Sequence, residues 1–145
     1  MSSWKKFQGT ATAIITPFTK DGSLDESALR KFVEFQIKGG VDALVPLGTT
    51  GENPTVTREE HERILEIVIE QTKGRVKIFA GAGSNNTAEA IEKSRLAKKI
   101  GADAVLVVGP YYNKPTQEGY FRHFAAIADA VDIPIIVYNV PGRTG

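Results

Sequence analysis

Short apolar runs alternate with longer amphipathic stretches along the whole chain, and this alternation constrains the fold more than any other feature. Five runs are predicted strands, at residues 10–15, 43–47, 76–80, 104–108 and 134–139. They are nearly all apolar instead of alternating with polar residues, which is typical of strands covered on both faces. The chain is therefore predicted to be an α/β protein with helices around a parallel sheet.

Capping patterns predict where three helices begin. In each, a capping side chain precedes by three residues a glutamate that can reach back to the free backbone amide. The three pairs are Ser23 with Glu26, Thr57 with Glu60, and Asn86 with Glu89. A fourth helix is predicted over about residues 116–130, and glycines after the helices supply their ends.

The repeated βα units leave two architectures open when the pattern is considered alone. One is an open, doubly wound sheet, and the other is part of a (β/α)8 barrel. Length favours the open sheet, because the chain has 145 residues and closed barrels typically need about 250. In either case the length predicts one domain, spanning residues 1–145.

Composition excludes several classes of partner and of chemistry. The net charge of +1 provides no strong field for nucleic acid or an anionic membrane. The lack of cysteine removes thiolate chemistry and fits a cytoplasmic protein. No apolar run approaches the roughly 20 residues needed to span a bilayer, and residues 1–8 do not have the pattern of a targeting segment.

Candidate chemistry lies in the loops that follow the predicted strands, where βα proteins collect their reactive groups. A glycine-flanked pair of hydroxyls, Thr49 and Thr50, follows the second strand and could hold a small carboxylate. Adjacent phenols follow the fourth strand, and the fifth ends near Tyr138 and is followed by Arg143. Together these groups predict a proton relay beside a guanidinium that binds an anionic substrate.

Metal and cofactor chemistry find no support in the sequence. His61 and His123 lie on predicted helices without a second ligand at suitable spacing, so neither is interpreted as a metal ligand. Acidic residues are spread over helix faces and caps, and no dinucleotide or P-loop motif is present. We therefore expect no cofactor and no metal.

Four loop motifs resemble, in order and spacing, the signatures of the dihydrodipicolinate synthase family. They are AIITPF at 13–18, GTTGE at 48–52, GPYYNKPTQEG at 109–119 and YNVPGRTG at 138–145. This family belongs to the pyruvate-dependent aldolases, which also include N-acetylneuraminate lyase. The resemblance implies the N-terminal half of a (β/α)8 barrel, with four βα units and a fifth strand, instead of an open sheet.

The resemblance also implies an activity and roles for individual residues. In the family, a lysine condenses with pyruvate, and the enamine attacks aspartate semialdehyde on the route to lysine and diaminopimelate. Tyr138 matches the phenol beside the Schiff base. Thr49 and Tyr112 match its proton relay, with Tyr112 contributed by a neighbouring subunit.

Substrate binding is assigned to a second group of residues by the same resemblance. Gly48 and Thr50 match the cradle for the pyruvate carboxylate, and Arg143 matches the residue that holds the semialdehyde carboxylate. Thr50 and Arg143 together favour the synthase over the alternative, a different pyruvate aldolase such as N-acetylneuraminate lyase.

Some family members are inhibited by lysine at a subunit interface, and four residues match that regulatory site. They are His61, Asn85, Glu89 and Tyr111. Pro54 and Arg58 depart from strongly inhibited members, and Asn53 replaces the serine that usually follows the glutamate.

The family's Schiff-base lysine lies on a sixth strand, beyond Gly145, and no lysine of this chain is in an equivalent position. We therefore expect the chain alone to be inactive. The alternative is a non-catalytic half-barrel scaffold. A half barrel exposes strand edges and apolar side chains, so we also expect a homo-oligomer, a dimer or larger.

Overall fold

Five strands alternate with helices in the computed structural model, which describes residues 7–145. The strands are β1 Ala11–Ala13, β2 Ala43–Val45, β3 Lys77–Gly81, β4 Ala104–Val108 and β5 Ile135–Tyr138. The helices are α1 Glu26–Lys38, α2 Arg58–Thr72, α3 Thr87–Ile100, α4 Gln117–Ala130 and the short α5 Pro141–Thr144. Most of residues 1–8, which the sequence analysis considered for a targeting segment, lies outside the described residues.

The strands form one parallel sheet in the order β1-β2-β3-β4-β5. A doubly wound sheet reverses its strand order at a switch point, and no such reversal occurs between β1 and β5. Because βα crossovers are right-handed, a sequential order places the connecting helices on one face of the sheet. The sheet is therefore of the barrel type, as the resemblance implies, and the open sheet favoured by length is wrong.

The face of the sheet towards the helices carries the larger apolar core. Leu29 and Val33 of α1, with Ile64 and Val68 of α2, pack there in a cluster that also includes Val107 of β4. All five side chains are at most 1% exposed. The helical spacing of these residues is what the sequence predicts for an amphipathic helix covering a sheet.

The opposite, inner face of the sheet carries a smaller cluster built from alternate strand positions. Its buried members are Ala43, Val45, Phe79 and Ala104. The ring of Phe7 packs edge-on against Phe79, with ring centroids 5.6 Å apart. This cluster closes the amino-terminal end of the inner face and leaves the carboxyl end open.

The first helix begins at a different residue from the predicted one. Ser23 and Leu24 are held outside the helix because Leu24 forms a β-bridge with Phe18. Asp25 is the N-cap instead, and its carboxylate accepts a hydrogen bond from the Ala28 amide. The capping box predicted for Ser23 is therefore wrong.

The glutamate predicted to complete that box is used elsewhere. Both carboxylate oxygens of Glu26 accept hydrogen bonds from Arg63 on α2, at 2.8 and 2.7 Å. This pair joins α1 to α2, and the Arg63 guanidinium keeps the pKa of Glu26 below its usual value. The Glu26 carboxylate therefore faces α2 instead of reaching back to Ser23.

The other helix starts agree with prediction, with one difference at α3. Thr57 and Glu60 form the complete capping box of α2. Asn86 caps α3 through the Ala88 amide, but the Glu89 carboxylate points towards Ser84 and Lys93 instead of back to the cap. No described helix is long and apolar enough to cross a membrane.

Candidate active site

A cavity of about 560 Å³ lies at the carboxyl ends of β2, β3, β4 and β5. Its floor is formed by Gly81 at the end of β3, Gly83 after it, and Leu106 and Val108 of β4. The polar groups in its wall come from the ends of β2, β4 and β5 and the segments that follow them: Thr49, Asn53, Tyr111, Tyr112, Lys114, Tyr138 and Arg143. Parallel strands place the loops at their carboxyl ends together, so residues far apart in sequence meet here.

The turn after β2 presents Gly48 and Thr49 to this cavity. It is a strained turn, because Leu47 and Glu52 have positive φ angles of 58° and 59°. Gly51 packs so closely that a Cβ there would lie 2.8 Å from the Leu47 nitrogen. Thr50 belongs to the same turn but does not line the cavity.

A residue shortly after β1 holds this turn in place. The buried hydroxyl of Thr16 donates to the Gly51 carbonyl over 2.7 Å. The backbone of Ile14 continues the pairing towards β2 by donating to the Val45 carbonyl at 3.1 Å. No role was predicted for Thr16, and its place within the AIITPF motif at 13–18 is the signal that could have indicated one.

The loop after β4 places two phenols at different depths. Tyr111 is half-buried, and burial raises the pKa of its phenol, with the nearby Glu89 charge acting in the same direction. Tyr112 is 89% exposed and has a φ of 68°. Its backbone amide donates to the Arg143 carbonyl over 3.2 Å, so the loops after β4 and β5 are held together.

Asn139 organises the chain between Tyr138, the last residue of β5, and Arg143. Its side-chain oxygen accepts a hydrogen bond from the Tyr120 hydroxyl at 3.1 Å and another from the Thr144 hydroxyl at 2.6 Å. Tyr120 thereby links helix α4 to the end of β5. Sequence reasoning missed this role, because nothing in the α4 pattern distinguishes Tyr120 from a packing residue.

The arrangement suits an acid–base reaction on a small anion. Tyr138, Tyr112 and Thr49 bring hydroxyl groups to the cavity, and Arg143 brings a positive charge to the same opening. Lys114 also lines the cavity, but it is exposed. The apolar floor excludes water from one side of the space, which strengthens charge interactions inside it.

A second cavity, of about 280 Å³, lies between α2 and α3. Its wall contains His61, Glu89, Lys93 and Arg58, together with Asn53, which also lines the first cavity. Of the four residues matched to a regulatory site, two are therefore in this cavity. Tyr111 lines the first cavity, and the Asn85 amide instead donates to Asn113 over 3.3 Å.

His61 is neutral in this environment. Its side chain is 2% exposed, and its Nε2 lies 3.2 Å from the Gly81 carbonyl, so Nε2 carries the proton. Burial lowers the pKa of His61 to about 4. Beside it, the Lys93 ammonium keeps the pKa of Glu89 below its usual value, so the glutamate is charged.

Within residues 7–145 no group of three or more histidine, cysteine, aspartate or glutamate side chains could hold a metal ion. His123, like His61, is buried in the helix layer, where its Nδ1 lies 2.9 Å from the Thr87 hydroxyl. Burial lowers the pKa of His123 as well. Both histidines are thus buried packing residues that each make one polar contact.

Known proteins resemble this chain closely over its length. The model of the dihydrodipicolinate synthetase family matches residues 6–145. A 4-hydroxy-tetrahydrodipicolinate synthase from Pelobacter propionicus is 61% identical over 139 residues, which cover 96% of this chain and 48% of that protein. The chain spans about half the length of the curated relatives it matches.

Solved structures show the same relationship. The dihydrodipicolinate synthase of Acinetobacter baumannii, determined with pyruvate, superposes with a TM-score of 0.93 and is 52% identical, covering 95% of this chain and 47% of that one. A monomeric dihydrodipicolinate synthase variant superposes with a TM-score of 0.92 at 46% identity, covering 98% of this chain and 47% of that one.

Proposed function

The chain belongs to the dihydrodipicolinate synthetase family, whose barrel it matches over the N-terminal half, and from this premise we propose that it forms part of a pyruvate aldolase site. The proposed reaction is the Schiff-base condensation of pyruvate with aspartate semialdehyde. Residues 1–145 would be one segment of a (β/α)8 domain, and the substrates are small molecules.

The observation that carries the proposal is the meeting of Thr49, Tyr138 and Arg143 around one cavity of about 560 Å³. Thr49 lies in the loop after β2, whereas Tyr138 and Arg143 lie at and just beyond the end of β5, so folding has to bring them together. An anionic keto acid needs a positive charge, hydrogen-bond donors and a proton relay within one small space. Arg143 supplies the charge, and Thr49 and Tyr138 supply hydroxyl groups, which supports the proposal.

In the proposed roles, Tyr138, Thr49 and Tyr112 exchange protons with the Schiff base and the condensing aldehyde. Gly48 and Thr50 would hold the pyruvate carboxylate, although Thr50 does not line the cavity in this conformation. The exposed position of Tyr112 at the rim suits a side chain that serves the site of a neighbouring subunit.

Pyruvate binding tests the proposal directly. In an NMR titration, pyruvate should shift the backbone amides of residues 48–51 and of Tyr138. Thr50→Val should weaken binding about tenfold, because a hydrogen bond to a charged group contributes about 1.5 kcal/mol. Thr55→Val is the matched control, since the Thr55 hydroxyl bonds only locally to the Glu52 carbonyl. Unshifted amides at residues 48–51 would contradict the proposal.

The covalent step requires an amine of depressed pKa in an enclosed pocket. Lys114 lines the cavity, but its side chain is exposed and not enclosed as this step requires. We therefore expect borohydride reduction in the presence of pyruvate to leave the intact mass of this chain unchanged. An adduct on one lysine would refute this expectation, and its loss in Lys114→Arg would identify Lys114 as the nucleophile.

The second cavity is the proposed regulatory site, with His61 and Glu89 in its wall. Asn85 and Tyr111 do not line this cavity. They would belong to the regulatory site only if the side of the β4 loop that faces away from the first cavity also lines it. Burial and, after it, the Glu89 charge raise the pKa of the Tyr111 phenol, which supports including Tyr111 in this site.

A further inference from the structure

Lys93 is unusually enclosed for a lysine on the outer layer of helices. Its side chain is 17% exposed, and its ammonium lies 2.7 Å from Glu89 Oε1, one helical turn earlier on α3. Ion pairs of this spacing on an open helix surface contribute little. An ammonium that is largely shielded from water, however, must form its hydrogen bonds with protein groups. Lys93 therefore needs a second partner besides Glu89.

That second partner is Asn53, forty positions earlier in the chain. Lys93 Nζ donates to Asn53 Oδ1 over 2.9 Å, and Asn53 is only 7% exposed. The other oxygen of Glu89 accepts from the Ser84 hydroxyl at 2.9 Å. The ammonium therefore joins α3 to the short 3-10 turn Asn53–Thr55.

The contact with Lys93 decides which way the Asn53 amide faces. A lysine can only donate, so the amide oxygen must point towards it. The amide nitrogen is then directed at the carbonyls of Gly81 and Gly83, each 3.5 Å away. If the amide were reversed, its NH2 group would face the Lys93 ammonium, which is also a donor. Its oxygen would then face the Gly81 and Gly83 carbonyls, which are also acceptors.

Gly81 supports the turn that carries the threonine pair. A Cβ on Gly81 would lie 1.8 Å from the Leu47 carbonyl oxygen and 2.7 Å from the Gly48 nitrogen, so the two backbones are in direct contact. His61 holds the Gly81 carbonyl from another side. Asn53, which directly follows the turn, is thus the polar link between the turn and β3.

We infer that Lys93 is a positioning residue, whose ammonium orients the Asn53 amide and thereby holds the 48–52 turn against β3. The relevance to catalysis rests on the proposed function, which assigns Thr49 and Thr50 of this turn to the substrate. The link itself is a property of the fold and can be measured without substrate.

Hydrogen exchange of the turn amides tests the inference. The Gly51 and Glu52 amides donate to the Gly48 and Thr49 carbonyls, both at 3.1 Å. In Lys93→Met their exchange should become about tenfold faster, the effect of losing a hydrogen bond to a charged group, while β4 amides such as Val105 keep their rates. Lys99→Met is the control on the same helix, because that side chain is 77% exposed, and it should change neither set.

Two further variants separate positioning from general destabilisation. Lys93→Arg can still donate to both Glu89 and Asn53 and should restore slow exchange in the turn. In the double variant Lys93→Met with Asn53→Ala, the turn should exchange no faster than in Asn53→Ala alone, since Lys93 acts through Asn53. Additive effects, or equal acceleration of turn and β4 amides, would overturn the inference.

The same variants keep this inference distinct from the proposed function. If the wild-type chain does not bind pyruvate but Lys93→Met loosens the turn selectively, the positioning role stands and the aldolase proposal fails. If pyruvate binds and turn exchange is unchanged in Lys93→Met, the positioning role fails and the aldolase proposal stands.

Discussion

His61 shows how strongly one buried side chain can tie stability to pH. Its Nε2 contacts the Gly81 carbonyl, whereas its Nδ1 has no hydrogen-bond partner among the described residues. Protonation would place a charge in a site that is 2% exposed, where the nearby Lys93 ammonium disfavours it and the Glu89 carboxylate favours it. Burial outweighs that carboxylate, so the folded chain keeps His61 neutral.

The free energy of unfolding should therefore fall on acidification. Above pH 6.5, the ordinary pKa of histidine, His61 is neutral in both states and its stabilising contribution is complete. As the pH falls towards about 4, the pKa of His61 in the folded chain, His61 becomes protonated in the unfolded chain but stays neutral in the folded chain. The full loss would be about 3 kcal/mol.

Urea unfolding between pH 7.5 and 5 measures this loss. His61→Gln keeps a donor near the position of Nε2 but cannot titrate, so its stability should depend less steeply on pH than that of the wild type. His123 is buried too and is retained in both proteins, so its contribution cancels. Equal slopes for the two proteins would contradict the assignment, as would an NMR titration in which His61 protonates near pH 6.5.

Whether the sequence could predict a residue of the candidate site depends on how far apart in the chain that residue and its contacts lie. Thr49, Tyr138 and Arg143 could be predicted because each follows an apolar run, and strand ends converge. Asn53 and Lys93 could not, since their contact joins positions forty residues apart without any repeating pattern. Thr16 and Gly51 are similarly separated, by thirty-five residues.

At the scale of elements, the interior strand β4 was predicted with its bounds, residues 104–108. β1 is shorter than the predicted 10–15, because after Ala13 the chain turns to bring Thr16 under Gly51. β2 likewise ends at Val45, where the strained turn with Leu47 begins. Apolar composition predicts that a strand exists, but tertiary contacts decide where it ends.

The start of α1 provides a test of the corrected cap. Asp25→Ala should destabilise the chain by about 1 kcal/mol, since the Ala28 amide loses its acceptor. Thr57→Ala should cost a similar amount, because Thr57 caps α2. Ser23→Ala should have little effect, as the Ser23 side chain caps no helix. Thermal unfolding of the three variants compares them, and a larger loss for Ser23→Ala than for Asp25→Ala would restore the original prediction.

At the scale of the whole molecule, both outer strands of the sheet are unpaired on one side. In the described part of the chain β1 pairs only with β2, and β5 pairs only with β4. Val137 of β5 lies opposite Val107 on the same face, yet Val137 is 58% exposed and Val107 is fully buried. Ile15, just beyond β1, is 49% exposed. Exposed edges with apolar side chains promote pairing with another chain.

We therefore expect this chain to self-associate through its sheet edges, and light scattering at micromolar concentration should give a mass above 15.7 kDa. Val137→Lys should shift the protein towards monomer without loss of helix content, because a charge on an edge strand opposes pairing. Phe35→Lys is the matched control, since Phe35 is 67% exposed but lies on α1. A monodisperse wild-type monomer would refute the expectation. If Phe35→Lys alone caused dissociation, the contact between chains would be assigned to the helix layer instead of the sheet edge.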